Sequence, residues 1–162
     1  MLKYNEYDNA YYLGNETNPY LVLVKAKLSS ITSCEINSNT KIIAGGAFRD
    51  CSSLTSVTIP NSVTSIGDSA FEWCSSLTTI TIPDSVTSIG NWAFCDCSLL
   101  TSVTIPNSVT SIGEEAFYSC NLLTSIRFNG TVDEWKEIVK SEPIFLSASV
   151  SRIICDNGFI FL

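Results

Sequence analysis

Cys51-Ser-Ser-Leu-Thr-Ser-Val-Thr-Ile-Pro-Asn-Ser-Val-Thr-Ser-Ile-Gly-Asp-Ser-Ala-Phe-Glu-Trp73 is followed at Cys74, and again at Cys97, by a near copy of itself. Cys51, Cys74, Cys97 and Cys120 are each 23 residues apart, and the copies that begin at Cys51 and Cys97 differ at only five positions: Ser53/Leu99, Asp68/Glu114, Ser69/Glu115, Glu72/Tyr118 and Trp73/Ser119. A fixed period of this length marks stacked supersecondary units. A degenerate copy precedes the series, with Ile43, Ala47 and Phe48 lying 23 residues before Ile66, Ala70 and Phe71, and with Asn37 in place of the proline. A half copy follows, carrying Leu123, Ile126 and Phe128 in the apolar slots, so the array runs over about residues 28–129.

Within one unit, Leu54, Val57 and Ile59 follow the L-x-x-L-x-L spacing of a leucine-rich repeat, and the β-branched run 55–59 reads as a strand. Pro60 ends it, because proline brings no amide hydrogen to a ladder. Val63 and Ile66 give a second inward pair, Gly67 permits a tight turn, and Ala70-Phe71 points back inside. Each coil has too few apolar side chains for a core of its own, so burial requires stacking. The expected fold is a leucine-rich-repeat solenoid, a right-handed coil of 23-residue repeats, mainly β with short 3-10 or turn segments. Phe48, Phe71, Phe94 and Phe117 should form a spine beside columns of Leu54/Leu77/Leu100/Leu123 and Ile59/Ile82/Ile105/Phe128, at the roughly 4.8 Å spacing of parallel strands.

An open solenoid exposes its core and its strand edges, so the ends need covers. Residues 1–27 read as an N-terminal cap, in which Ala10–Leu13 and 20–27 flank Gly14-Asn-Glu-Thr-Asn-Pro19 as a hairpin. Residues 130–162 read as a C-terminal cap. There Thr131-Val-Asp-Glu134 is a capping box that opens a short helix with Val132, Trp135, Ile138 and Val139 on one face. Arg152–Cys155 and 159–162, around Asp156-Asn-Gly158, read as a closing hairpin. Caps and repeats together make one structural domain.

The unit C-x-x-L-T-x-V-T-I-P-x-S-V-T-S-I-G-x-x-A-F at 51–71, 74–94 and 97–117 resembles the BspA-type leucine-rich repeat of bacterial surface proteins. The flanks Tyr12-Leu-Gly-Asn, Asn18-Pro-Tyr and Gly130-Thr-Val-Asp-Glu-Trp135 resemble sequences that border such arrays in gut-associated bacteria. The resemblance implies an extracellular or cell-surface location and adhesion to a host or bacterial surface protein or glycan. It brings no catalytic residues with it.

Composition narrows the function classes. Sixteen acidic and nine basic residues, spread along the chain without a run of like charge, give a net charge of −7, which argues against nucleic acid and anionic membranes. The absence of histidine rules out Ser-His-Asp, Cys-His and His-containing zinc sites. No metal or other cofactor is expected. No apolar stretch is long enough to span a bilayer, and the opening residues 1–8 lack the apolar core of a secretory leader. A monomer is the expected state.

Three sets of residues invite a functional reading. Of the seven cysteines, Cys51, Cys74, Cys97 and Cys120 read as a buried column of free thiols: their period is that of the fold, and stacked side chains pointing in parallel have the wrong geometry for a disulfide. Cys34 takes an inward slot, and Cys95, in the turn slot of Glu72 and Tyr118, is expected to be exposed and reactive. The outward strand positions Ser56, Thr58, Thr79, Thr81, Ser102 and Thr104, ending at Arg127, form a hydroxyl array that could lie along a periodic polymer; threonine is also a good strand former with a soluble side chain. Last, the turn around Ala-Phe carries Trp73, Trp92 and Tyr118 where other copies have Asp, Ser or Glu, and such slots are exposed. Clustered exposed aromatics make this rim the expected binding surface. A binding or adhesion module is therefore the first expectation, a structural spacer the second, and an enzyme a distant third.

Overall fold

A computed structural model describes residues 4–139 and 149–162. Residues 1–3 and 140–148, which fall in the two expected caps, lie outside the described residues. Strands β1 (Asn5–Tyr7), β2 (Ala10–Leu13) and β3 (Val22–Ala26) open the chain. Two kinds of strand then alternate: β4 (Ser33–Glu35), β5 (Ile42–Ile43), β6 (Ser56–Thr58), β7 (Ser65–Ile66), β8 (Thr79–Thr81), β9 (Ser88–Ile89), β10 (Ser102–Pro106), β11 (Ser111–Ile112) and β12 (Ser125–Asn129). Helix α1 (Val132–Val139) and strands β13 (Arg152–Cys155) and β14 (Gly158–Phe161) complete the described chain.

The result is a mainly β solenoid of about five turns, as the repeat predicts. Strands pair in parallel at an offset of one repeat, with Val103 opposite Ile80 and Ile112 opposite Ile89. Each coil has three sides. The first is the expected strand, and it supplies a five-stranded sheet ordered β14-β13-β12-β10-β8 and a separate pair, β4-β6. The second side is a strand that the sequence pattern shows only as the inward pair Val63 and Ile66; its members join the N-terminal strands in a seven-stranded sheet, β1-β2-β3-β5-β7-β9-β11. The third side, expected as 3-10 or turn, is a run of turns around the Ala-Phe pair.

The two terminal hairpins extend different sheets. Beyond the expected pairing of β2 with β3, β1 adds an antiparallel strand, and β3 runs parallel to β5. At the other end β13 pairs in parallel with β12, and β14 folds back on it. The capping box is formed: Thr131 N donates to Glu134 Oε2 at 2.7 Å and Glu134 N donates to Thr131 Oγ1 at 3.2 Å. The Thr131 amide, and after it the Thr131 hydroxyl at 3.0 Å, both donating to Oε2, hold the Glu134 carboxyl below its ordinary pKa. Trp135 and Ile138 bury themselves from this helix, Trp135 against Phe128.

The core is a set of ladders. Phe48, Phe71, Phe94 and Phe117 are fully buried and stack nearly parallel, with centroids 5.1, 5.2 and 5.3 Å apart. The separation follows the coil rise, since each ring is attached at the same point of successive coils. Leu54, Leu77, Leu100 and Leu123 form a second buried column. All seven cysteines are buried free thiols. Three of the column thiols have a definite partner: Cys74, Cys97 and Cys120 donate to the carbonyls of Phe48, Phe71 and Phe94 in the preceding coil at 3.1 to 3.2 Å. A small side chain that is both apolar and a weak donor suits that slot.

One local expectation is corrected. Gly67 is not needed for an unusual turn conformation, because its φ is not positive. Its lack of a side chain matters for close stacking: a Cβ there would lie 2.6 Å from the Gly45 nitrogen, and at Gly90 and Gly113 it would lie 2.4 Å from the side-chain oxygens of Asp68 and Asn91. Pro60 does lie outside its strand, but β10 runs on through Pro106, which pairs with Asn129. Proline lacks only the donor, so its carbonyl still fits a ladder. Where Asn37 replaces the proline, the extra amide donates to the hydroxyl of the buried Tyr12 at 3.3 Å, so the cap supplies the acceptor that this substitution requires.

Candidate functional site: the turn side of the solenoid

The third side is held by backbone bonds that run from coil to coil. Gly46, Ser69 and Trp92 donate their amides to the carbonyls of Asp68, Asn91 and Glu114 in the next coil, and Asp50, Trp73 and Asp96 donate to those of Glu72, Cys95 and Tyr118. These two slots are the ones with left-handed backbone. Gly46, Ser69, Trp92 and Glu115 have φ of 66°, 54°, 53° and 53°, and Asp50, Trp73, Asp96 and Ser119 have 61°, 64°, 57° and 58°. Stacking thus imposes this conformation on whatever residue the slot holds. Glycine tolerates it freely and aspartate more readily than most, whereas serine, glutamate and tryptophan adopt it at a cost of about 1–2 kcal/mol.

Trp73, Trp92 and Tyr118 all lie on this side and are 48%, 39% and 48% exposed. They stand in three different slots of three successive coils, so they do not form a column, and their rings make no contact with one another. Each indole has a carboxylate acceptor that sequence reading missed. Trp92 Nε1 donates to Glu115 Oε2 at 2.8 Å, in the equivalent slot one coil on, and Trp73 Nε1 donates to Glu72 Oε1 at 3.2 Å. Glu72 also meets Arg49 Nε at 3.2 Å.

Cys95 corrects an expectation. It shares the slot of Glu72 and exposed Tyr118, yet it is only 6% exposed. A short side chain between longer neighbours in the coils on either side is shaded by them. Its thiol donates to Asp96 Oδ2 at 3.2 Å, and burial, with the adjacent carboxylate second, pushes its pKa up to about 12. The reactive thiolate is therefore suppressed.

Beside the rim runs a groove of about 320 Å³ along the second strands, floored by Gly67, Gly90 and Gly113 and edged by Ser65, Ser88 and Ser111. Asp68 Oδ1 accepts from Asn91 N, and Asn91 Oδ1 accepts from Glu114 N, each at 2.8 Å. The sequence signal for this ladder is present: the slot holds Asp68, Asn91 and Glu114, each with a side-chain carbonyl oxygen. The hydroxyl array is also where the period puts it, with Ser56, Thr58, Thr79, Thr81, Ser102 and Thr104 exposed on the first side. Ser56 and Thr58 sit on β6, outside the five-stranded sheet, and Arg127 is turned to the cap by Asp156 at 2.8 Å. Among the described residues no group of three or more His, Cys, Asp or Glu side chains is placed to hold a metal ion, and no helix is long and apolar enough to cross a membrane.

No curated protein sequence matches the chain. Solved structures do. A leucine-rich cell surface protein from Faecalibacterium prausnitzii matches with a TM-score of 0.66 at 27% identity, over 83% of this chain and 42% of that one. The chain therefore spans less than half the length of that protein. The pneumococcal vaccine antigen PcpA shares the fold, with a TM-score of 0.59 at 19% identity over 96% of this chain and 48% of its own. A leucine-rich repeat protein from Bacteroides capillosus does so with a TM-score of 0.54 at 20% identity over 94% and 98%. The model of the BspA type leucine rich repeat region matches residues 26–139 in six copies. The chain belongs to the BspA-type leucine-rich repeat family.

Proposed function

We propose that this chain is a non-catalytic binding module, displayed on or outside a bacterial cell, that engages a surface protein or glycan through the turn side of its solenoid. The observation that carries the reading is the placement of Trp73 and Trp92, two half-exposed indoles held in left-handed turns by the stacking of the coils. Large, stiff aromatic groups are the residues that dominate binding energy at interfaces. The surface description of the Faecalibacterium protein supports the location, and the match to the leucine-rich repeat family supports a role in binding. Surface plasmon resonance of the chain against immobilised host-matrix proteins and a glycan panel tests this. A saturable response that is lost in the Trp73→Ser/Trp92→Ser protein is expected. A chain that gives no saturable response to any member of either panel would instead be a spacer.

A further inference from the structure

Residues 50–126 contain no lysine or arginine. Seven acidic residues lie in that stretch, and folding puts six of them, Asp50, Asp68, Glu72, Asp96, Glu114 and Glu115, on the turn side; only Asp84 lies elsewhere. None of the six is buried, and Asp50 and Asp68 are exposed. Along the linear sequence these charges are scattered. Stacking gathers them, because a residue and its counterpart 23 positions on are brought to the roughly 4.8 Å coil spacing, so the four coils fit within about 15 Å. That span is comparable to the Debye length at moderate salt, so the carboxylates act as one field. The cation in ion-pair contact with them is Arg49, at the edge of the group and bound to Glu72. The half-exposed indoles of Trp73 and Trp92 stand inside this field, with Glu72 and Glu115 bonded to their Nε1 atoms.

We propose that the turn side recognises a basic polypeptide segment, with lysine or arginine side chains placed over the faces of Trp73 and Trp92 and paired with the surrounding carboxylates. The assignment rests on the rim being the binding surface, and it chooses between the two ligand classes left open there. An indole face attracts a cation, and it does so more strongly when acceptor oxygens lie beside it. An acidic segment would be repelled by the same field, and a neutral sugar would gain nothing from it. Cation recognition also explains why carboxylates are found in every turn of a rim whose individual slots otherwise vary. The adjoining Asp68, Asn91 and Glu114 ladder places the Asp68 carboxylate at the lip of the serine and glycine groove, where an extended chain could continue.

Titration calorimetry of the intact chain with decalysine, decaglutamate and maltohexaose, at about 10 mM and about 150 mM salt, tests the assignment. Decalysine should bind, at least tenfold more weakly at the higher salt, and the other two should not. The Asp68→Asn/Glu114→Gln/Glu115→Gln protein and the Trp73→Ser/Trp92→Ser protein should each bind decalysine at least tenfold more weakly, with thermal unfolding checking that both are folded. Asparagine already fills the Asp68 slot at Asn91 and serine the Trp73 slot at Ser119, so both variants suit the fold. Absence of decalysine binding, or binding that both variants retain, overturns the proposal. Maltohexaose binding that the Trp73→Ser/Trp92→Ser protein loses would overturn it while leaving the rim as the binding surface. If instead the matrix or glycan response in the earlier assay survives loss of both indoles, the rim reading itself falls.

Discussion

At the scale of single residues, the left-handed turns make a prediction that separates backbone strain from side-chain packing. Removing the half-buried indole of Trp92 costs packing whatever replaces it, but the slot has φ of 53° and its counterpart in the first coil is Gly46. Trp92→Gly should therefore be more stable than Trp92→Ala by about 1 kcal/mol, the reverse of the order in ordinary strand or helix, as read from urea midpoints. Equal midpoints would mean that the slot is not left-handed. The thiols give a second prediction. Burial favours their neutral form, which raises the Cys51 thiol to about 11 and those of Cys34, Cys95 and Cys120 to about 12, from an ordinary 9.0. An acid whose folded pKa is raised contributes stability that is intact below its unfolded pKa and is lost as pH climbs toward the folded value. Each such thiol should steepen the loss by about 1.4 kcal/mol per pH unit, so the urea midpoint should fall sharply between about pH 9 and 11. At pH 8, Cys95 should resist a thiol reagent as Cys97 does until the chain unfolds; rapid native labelling of Cys95, read by mass spectrometry, would show the shading to be wrong. The residues of the rim were legible as exposed because sister copies hold charge there. Cys95 was misread for the same reason, since a slot's exposure depends on the length of the side chain in it and of its neighbours.

At the scale of the element, the stacked columns set where stability resides. Phe94 is fully buried between Phe71 and Phe117, whereas Phe159 on β14 is 59% exposed and touches Phe161. Phe94→Ala should cost roughly 3–5 kcal/mol and Phe159→Ala clearly less, by denaturant midpoint. Equal losses would contradict the spine. The first strand, the helix with its capping box and both hairpins could be read from local patterns, because each depends on residues close in sequence. The second strand could not. It is two residues long, and its pairing comes wholly from the coils above and below, so no alternation marks it. The same holds for Gly67, Gly90 and Gly113, where the reason for glycine is a backbone 23 residues away and not the local turn.

At the scale of the whole molecule, repetition turns small local differences into a surface with two unlike faces. The strand side repeats Ser or Thr on β6, β8 and β10 and is nearly the same in those coils, while the turn side varies and carries the exposed aromatic residues and most of the acidic residues of the repeats. The period revealed the architecture because stacking converts sequence distance into neighbourhood at a fixed interval. The gathering of six carboxylates was hidden for the converse reason: no slot holds a carboxylate in every coil, so the linear chain shows only scattered charge. Specific binding needs a surface with identity, which the varied face has and the uniform face lacks. The most direct measurement is a comparison of affinity for one ligand of the chain between the Trp73→Ser/Trp92→Ser protein and a Thr58→Val/Thr81→Val/Thr104→Val protein. The rim account predicts that the first is weakened by more than about 2 kcal/mol while the second binds nearly as the parent does. Normal binding by the serine protein together with impaired binding by the valine protein would contradict it and move the site to the strand face.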